Sequence, residues 1–195
     1  MKKIFLVFLV LFVFSSGCIF NSSYGKLIFQ IDSYRNSETV SLHLRFPTQE
    51  KRAIIYSVLC DFYAEKRGEK KQYKVFTTVV RSQGSFCLED SFFMAIDEKK
   101  YQMAIEKNRI QLHSSVSETT ENVMLTDSTK TTIVTGVSTE TWKEEQFVIQ
   151  FSDTQVAELL KCEQFSLRFY AGSSIGTIVV KNSDLAKIKK LLSSF

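Results

Sequence analysis

The feature that most constrains the fold is a run in which apolar and polar residues strictly alternate. Its apolar members are Val40, Leu42, Leu44 and Phe46, which are separated by Ser41, His43 and Arg45. Because successive side chains of a strand point to opposite faces, the run predicts a β-strand with one buried face. Leu27 to Asp32 alternates in the same way, and Ser33 to Ser37 lies between the two runs. The two runs therefore predict an antiparallel hairpin.

The stretch after Pro47 has a different spacing. Its apolar residues are Ile54, Ile55, Val58, Leu59, Phe62 and Tyr63. This spacing is typical of one face of an α-helix. Glu50 near the start and Gly68 after the end suit the two ends of a helix. We therefore expect a helix over 49–67. The alternative is a strand from Ile54 to Phe62, since Ile, Val, Tyr and Phe also favour strands.

The last quarter of the chain predicts two more helices. Apolar residues at helical spacing follow Ser152-Asp153 and, further on, Ser183-Asp184. Ser152 and Gln155 have the spacing of a capping box, in which each side chain bonds the backbone of the other residue. The expected helices are near 153–162 and 184–194. A short apolar run precedes each of them and predicts a strand.

The middle of the chain predicts further strands. Tyr73 to Val80 is rich in β-branched and aromatic residues. Phe92 to Ile96 and Tyr101 to Ile105 flank the charged segment Asp97 to Lys100, which predicts a hairpin with a charged tip. The expected fold class is α+β, a mostly antiparallel sheet with about three helices, one central and two C-terminal. Residues 27–195 are expected to form this single domain.

Ser114 to Thr141 has the most biased composition, because Ser and Thr make up half of its 28 residues. Val123 to Leu125 and Ile133 to Val137 flank a polar segment and predict a polar hairpin. One interpretation is a long, mobile surface hairpin. The other is a recognition loop, since binding residues are common on loops that a rigid scaffold holds in place.

The N-terminus has the pattern of an export signal. Lys2 and Lys3 precede an apolar run from Ile4 to Phe14, and the small residues Ser15, Ser16 and Gly17 follow. A membrane-spanning helix needs about 20 apolar residues, so this run is too short to remain as an anchor. We expect residues 1–17 to be a cleaved signal peptide and residues 18–26 to be a tether.

The end of this signal, Ser15-Ser16-Gly17-Cys18, resembles the lipobox of bacterial lipoproteins. The family usually has Leu or a similar apolar residue where this chain has Ser15. The resemblance implies that Cys18 becomes the mature N-terminus and carries diacylglycerol on its sulfur. It implies a bacterial cell-envelope protein that the lipid on Cys18 holds at the membrane, on its extracytoplasmic side. The alternative is an ordinary secretory signal that leaves Cys18 unmodified. The hairpin tip from Asp97 to Tyr101 and the strand–helix units at the end of the chain resemble those of uncharacterised envelope lipoproteins. This resemblance assigns no functional residues.

Charge and cysteine content limit the functional classes. Without Lys2 and Lys3 the chain has 23 Lys and Arg against 21 Asp and Glu, a balance that does not predict a nucleic-acid partner. If Cys18 carries lipid, three cysteines remain: Cys60, Cys87 and Cys162. One disulfide and one free thiol would allow three pairings. Alternatively, the cysteines are small buried residues, which we favour for Cys162. Their spacing matches no metal-binding or redox motif.

The sequence contains no recognisable catalytic, cofactor-binding or metal-binding motif. Arg168 suits a carboxylate or phosphate ligand, although such an arginine more often pairs with a surface acid. Trp142 suits a contact hot spot or a cover for the edge of the core. The lysines of the last helix suit its C-terminal dipole or an anionic lipid surface, and they are Lys187, Lys189 and Lys190.

The expected function is that of a lipid-anchored, non-enzymatic envelope protein that binds another envelope protein or an external ligand. The alternative is a periplasmic or surface enzyme whose active site carries no known motif.

Overall fold

The computed structural model describes residues 24–50, 54–124 and 130–195. Most of these residues belong to strands in two antiparallel sheets. The strands are β1 (Leu27–Asp32), β2 (Ser37–Pro47), β3 (Ile55–Arg67), β4 (Lys70–Ser82), β5 (Ser91–Ile96), β6 (Lys99–Ala104), β7 (Lys107–Met124), β8 (Lys130–Gln150), β9 (Phe165–Ala171) and β10 (Ser174–Val179). The helices among the described residues are α1 (Asp153–Lys161) and α2 (Asn182–Leu192).

The large sheet has six strands in the order β1-β2-β3-β4-β8-β7, and the small sheet has four in the order β10-β9-β5-β6. All paired neighbours run antiparallel. The first four strands form a meander, and the hairpin of β7 and β8 joins the large sheet through β4. The predicted hairpin of β1 and β2 is confirmed, with Leu27 opposite Leu42.

The predicted α+β fold with three helices is wrong, because the chain is mostly antiparallel β-structure with two short helices in its described part. Most of the predicted helix over 49–67 is the 13-residue strand β3, which pairs with β2 and β4. The apolar spacing was misleading because β3 carries apolar residues on both faces. Val58 and Phe62 are buried, whereas Leu59 and Tyr63 lie half-buried on the other face. The alternative strand interpretation is the correct one.

The helices expected near 153–162 and 184–194 are present as α1 and α2. The predicted capping box is confirmed at α1. Gln155 N donates to Ser152 Oγ at 3.3 Å, and Ser152 N donates to Gln155 Oε1 at 2.9 Å. These two bonds satisfy backbone groups that the first turn of a helix leaves without partners.

The core lies between the two sheets and under the helices. Three aromatic rings connect the sheets: Phe147 of β8 lies 5.9 Å from Phe92 and 6.1 Å from Phe169, which are residues of the small sheet. The helix α2 packs on β2 and β3. The strand β10 approaches β3 so closely that a Cβ at Gly176 would lie 2.8 Å from Ile55 Cδ1. A larger residue at position 176 would therefore push the sheets apart.

The hairpin predicted from Phe92 to Ile105 is confirmed as β5 and β6. Its tip is fixed to the connection between α1 and β9, because Asp97 Oδ1 accepts bonds of 2.8 Å from Glu163 N and Gln164 N. Next to the tip, Lys99 and Tyr101 both donate to the carboxylate of Glu158 on α1. The hydrogen bond from Lys99 is the main cause that lowers the pKa of Glu158. The charged tip therefore orders the edge of the small sheet.

A buried ion pair lies in the core near the end of the pairing between β4 and β8. Arg81 is fully buried, and Glu145 is 1% exposed. Arg81 Nε donates to Glu145 Oε1 at 2.6 Å, and Arg81 Nη1 donates to Ser85 Oγ at 2.8 Å. Leu88 N contacts the same carboxylate oxygen at 3.4 Å. The pair thus connects two strands and the segment that leads to β5.

We expect Glu145→Gln to lower the free energy of unfolding by roughly 3–5 kcal/mol, because it leaves the Arg81 charge buried without a counter-ion. Urea unfolding followed by the fluorescence of Trp142 measures this loss. The matched control is Glu140→Gln on the exposed part of β8, which should change stability by less than about 0.5 kcal/mol. Arg81→Met combined with Glu145→Leu should lose less than either single change. Unaltered stability of Glu145→Gln would contradict the assignment.

Candidate binding site on the large sheet

The outer face of the large sheet is the face opposite the small sheet, and strand alternation sets which side chains it carries. In β2 these are His43 and Arg45, which lie opposite Asp61 and Leu59 of β3. The inner neighbours on the same strand, such as Leu44, belong to the core. The predicted assignment of His43 and Arg45 to the polar face of their strand is confirmed.

A groove of 670 Å³ crosses this outer face. It is lined by Arg45, Tyr56, Leu59, Val80, Glu140, Thr141, Trp142 and Glu144. Tyr56 projects into it because a bulge interrupts the pairing of β3 with β4 between Ile55 and Ser57. A bulge inserts an extra residue and redirects its side chain. The side chain of Tyr56 remains 49% exposed.

Trp142 forms the rigid wall of the groove. It lies opposite His113 in the pairing of β7 with β8, and the two rings stack with centroids 5.4 Å apart and an interplanar angle of 11°. Trp142 Nε1 donates to Glu144 Oε1 at 3.2 Å. Because both the ring plane and the indole N–H are fixed, binding a ligand costs little of this side chain's conformational entropy.

The groove carries charges of both signs. Arg45 lies on the wall formed by β2, and its Nη2 donates to Ser57 Oγ at 3.4 Å. Glu140 and Glu144 lie on the wall formed by β8. His113 Nε2 is 3.4 Å from Glu144 Oε2, an ionic contact when His113 is protonated. A ligand with a positive and a negative group at opposite ends would match this arrangement.

An aromatic cluster lies beside the groove on the same face. His43 Nδ1 is 2.8 Å from Asp61 Oδ1, and its ring is 6.4 Å from Tyr63 in an edge-on arrangement. Tyr63 meets Phe76 at 5.2 Å, also edge-on. Burial and the charge of Asp61 raise the pKa of Tyr63. Asp61 orients the imidazole, and the rings extend the apolar surface of the outer face.

Arg168, a sequence candidate, has a structural role in the small sheet. Its Nε donates to Thr177 Oγ1 at 3.2 Å. Glu50 Oε2 accepts from Thr177 N at 2.8 Å. Burial favours a higher pKa of Glu50, but the hydrogen bonds from Thr177 and the nearby Arg168 charge outweigh it and lower the pKa. Arg168 is therefore held within the protein by Thr177, next to the acid Glu50.

Two of the three candidate lysines of the last helix also have intramolecular partners. Lys187 Nζ is 3.0 Å from Asp184 Oδ1. Lys189 Nζ donates to the carbonyl of Cys162 at 2.6 Å and so connects the ends of α1 and α2. The lipidation candidate, Cys18, lies outside the described residues.

The biased stretch from Ser114 to Thr141 is not a loop in its described part. It forms a two-stranded ribbon, defined here as residues 114–124 of β7 and 130–141 of β8, that continues past the end of β4. Its base supplies Glu140 and Thr141 to the groove. The predicted polar hairpin is confirmed, with Val123 opposite Thr131. Residues 125–129 lie outside the described part.

Sequence reasoning missed the groove because its residues come from β2, β3, β4 and β8. Tyr56 and Leu59 were assigned to a helix. Trp142 was identified, but its stacking on His113 depends on the register of β7 with β8. One sequence signal for the groove was available. The alternation in β2 predicted that Arg45 lies on the polar face, outside the core.

Comparison with protein families, curated proteins and solved structures finds no match to this chain. Among the described residues, no helix is long and apolar enough to cross a bilayer. The same residues contain no group of three or more His, Cys, Asp or Glu side chains placed to bind a metal ion.

All three described cysteines are free thiols, with Cys87 exposed and Cys60 and Cys162 buried. Burial, assisted by the charge of Asp61, raises the pKa of Cys60 to about 12. Burial also raises the pKa of Cys162. Since the thiolate is the reactive form, the two buried thiols should be inert in the folded protein.

We expect a maleimide at neutral pH to label Cys87 of the folded protein in a Cys18→Ser background and to leave Cys60 and Cys162 unlabelled. Mass spectrometry of the intact chain should show one adduct before unfolding and three in urea. With Cys87→Ser as the control, labelling of the folded chain should fall to the background level. Rapid labelling of that control would contradict the burial of the other two thiols.

Proposed function

We propose that this protein is a lipid-anchored bacterial cell-envelope protein whose groove on the large sheet binds a polypeptide partner. The observation that carries the binding role is Trp142, held by its stack on His113 and its bond to Glu144 in the wall of the groove. Trp, Tyr and Arg are the residues that most often dominate the energy of protein interfaces. The groove combines all three, because Tyr56, Arg45 and Trp142 are among its lining residues.

The chemistry of the groove specifies the kind of segment that fits it. The groove has an apolar floor and walls that suit an inserted apolar or aromatic side chain. Its apolar lining residues are Tyr56, Leu59, Val80 and Trp142. A basic residue on one side of that side chain would face Glu140 and Glu144. An acidic residue on the other side would face Arg45 and form the paired hydrogen bonds that guanidinium groups favour.

The anchor would hold the groove near the membrane. The six residue steps from Cys18 to Tyr24 could span at most about 22 Å, since a fully extended chain covers at most about 3.6 Å per residue. The described chain begins at Tyr24, which pairs with His43 at the edge of β2. Arg45 lies two residues further along β2 and lines the groove. The proposed partner is therefore another component of the envelope close to the lipid surface.

We expect a photo-reactive amino acid at Tyr56 to cross-link a partner in intact cells, and the same group at Tyr34 to cross-link far less. Tyr34 is fully exposed but lies in the turn between β1 and β2, outside the groove. With the cross-linked partner purified, Trp142→Ala should weaken binding at least about tenfold, the loss typical of a hot-spot residue. Tyr34→Ala is the matched control and should bind normally. Equal binding by Trp142→Ala would refute the assignment of the groove.

We expect the protein from the membrane fraction to have an intact mass that corresponds to a chain starting at Cys18 with added acyl groups. Cys18→Ser should abolish the added mass and release the protein from the membrane. Two acyl chains hold a protein stably because each buried methylene contributes about 0.8 kcal/mol. An unmodified wild-type chain in the soluble fraction would overturn the anchor and leave an ordinary secreted protein.

A further inference from the structure

The strand β7 is the outer edge of the large sheet, where it pairs with β8 on one side. It is 18 residues long, whereas most edge strands are kept short. From Arg109 to Met124 each successive residue of β7 has a partner on β8, and the irregularity near Thr119 is an extra residue on β8. The backbone of β7 is therefore regular, and its outer N–H and C=O groups are positioned to pair with another strand.

Most exposed side chains of β7 are polar, but exposed apolar side chains are concentrated on one face of the hairpin. One face of the β7–β8 hairpin carries a stripe of exposed apolar residues: Ile110, Leu112, Val116, Val134 and Val137. Leu112, Val116 and Val137 are each at least 60% exposed. Exposed apolar stripes of this kind mark surfaces that meet a partner.

Symmetry restricts how β7 could pair with a second copy of itself. In one continuous antiparallel sheet, the two-fold axis that relates the copies is perpendicular to the sheet and keeps every side chain on its own face. Opposite residues of a strand pair share a face. A residue that lies a given number of positions before the residue on the axis is therefore opposite the partner's residue that lies the same number of positions after it. The numbers of two opposite residues thus differ by an even number.

The regular part of β7 begins at Arg109, after the irregularity between Lys107 and Arg109. Its Arg and Glu residues are Arg109, Glu118 and Glu121, and they select one of these registers. Arg109 is six residues before Ser115, and Glu121 is six residues after it. An axis at Ser115 therefore places Arg109 opposite Glu121 of the partner subunit, and the symmetry repeats this ion pair. An axis at Ser114 or at Val116 would place Arg109 opposite Thr119 or Val123 instead. Glu118 is an odd number of residues from Arg109, so the two-fold axis cannot pair them.

We propose that two copies of this chain pair through their β7 edges, antiparallel and with Ser115 on the two-fold axis. The remaining outer-face pairs of this register are polar: His113 lies opposite Ser117 of the partner subunit, and Gln111 lies opposite Thr119 of the partner subunit. The pairing joins the two large sheets into one sheet of twelve strands. This dimer does not depend on the proposed partner of the groove, so an experiment can refute the dimer without refuting the groove, and the reverse.

Disulfide cross-linking of the full chain in membranes tests the register directly. Opposite Cα atoms in an antiparallel pair lie about 4.5–5.5 Å apart, within the range of a disulfide. In a Cys87→Ser background, Ser115→Cys should give a covalent homodimer under mild oxidation. The matched control is Ser117→Cys, whose two copies would lie four residues out of register, roughly 13 Å apart. Cross-linking of Ser117→Cys equal to that of Ser115→Cys would overturn the register.

Charge exchange tests the ion pair and the identity of the partner. Arg109→Glu should reduce the Ser115→Cys dimer at least about fivefold, Glu121→Arg should do the same, and the combined variant should restore it to within about twofold. Circular dichroism of each variant should match the parent, because both positions are exposed. Failure of the combined variant to recover would overturn the proposal. A cross-link from Ser115→Cys to a different protein, without homodimer, would also overturn it and assign the edge to another partner.

Discussion

The buried pair of Arg81 and Glu145 is the interaction on which the arrangement of the large sheet depends. Removing two charges from water is costly, and the cost is recovered only when both groups have close partners. Here Arg81 reaches Glu145 and Ser85, so any slip of β8 against β4 would leave a charge buried without its partner. The pair therefore fixes the register of these strands more strictly than apolar packing alone would, since apolar side chains can often repack.

The choice of side chains on the outer face of β8 follows from the fixed register of β4 and β8. A slip by one residue exchanges the two faces of a strand. With Glu145 held inside, its neighbour Glu144 must lie on the outer face, and Trp142 reaches the same face. The pairing of β7 with β8 then places His113 under the indole ring. The groove is thus a consequence of the buried ion pair, although the two lie on opposite faces of the sheet.

The sequence could predict the elements whose signals are local. The alternation from Val40 to Phe46, the charged hairpin tip and the capping box of Ser152 each depend on residues a few positions apart. The ion pair gave no such signal, because Arg81 and Glu145 are 64 residues apart. The failure at 49–67 has a different cause. A strand with Leu59 and Tyr63 on its outer face and Val58 and Phe62 in the core has the apolar spacing of a helix. The apolar outer face of β3, which misled the prediction, also supplies Leu59 and Tyr56 to the groove.

The geometry of the proposed dimer connects the two proposals physically. A two-fold axis perpendicular to the sheet leaves both outer faces on the same side, so both grooves point in one direction. The two proposed lipid tethers would leave their domains at equivalent edges, which would let both anchors reach a single membrane. A partner with two binding segments would then meet two grooves held at a fixed separation. The second contact forms at a high effective concentration, so weak individual grooves are sufficient for stable attachment. An open groove such as this one, with charged residues beside its apolar ones, suits a partner that binds through two such contacts.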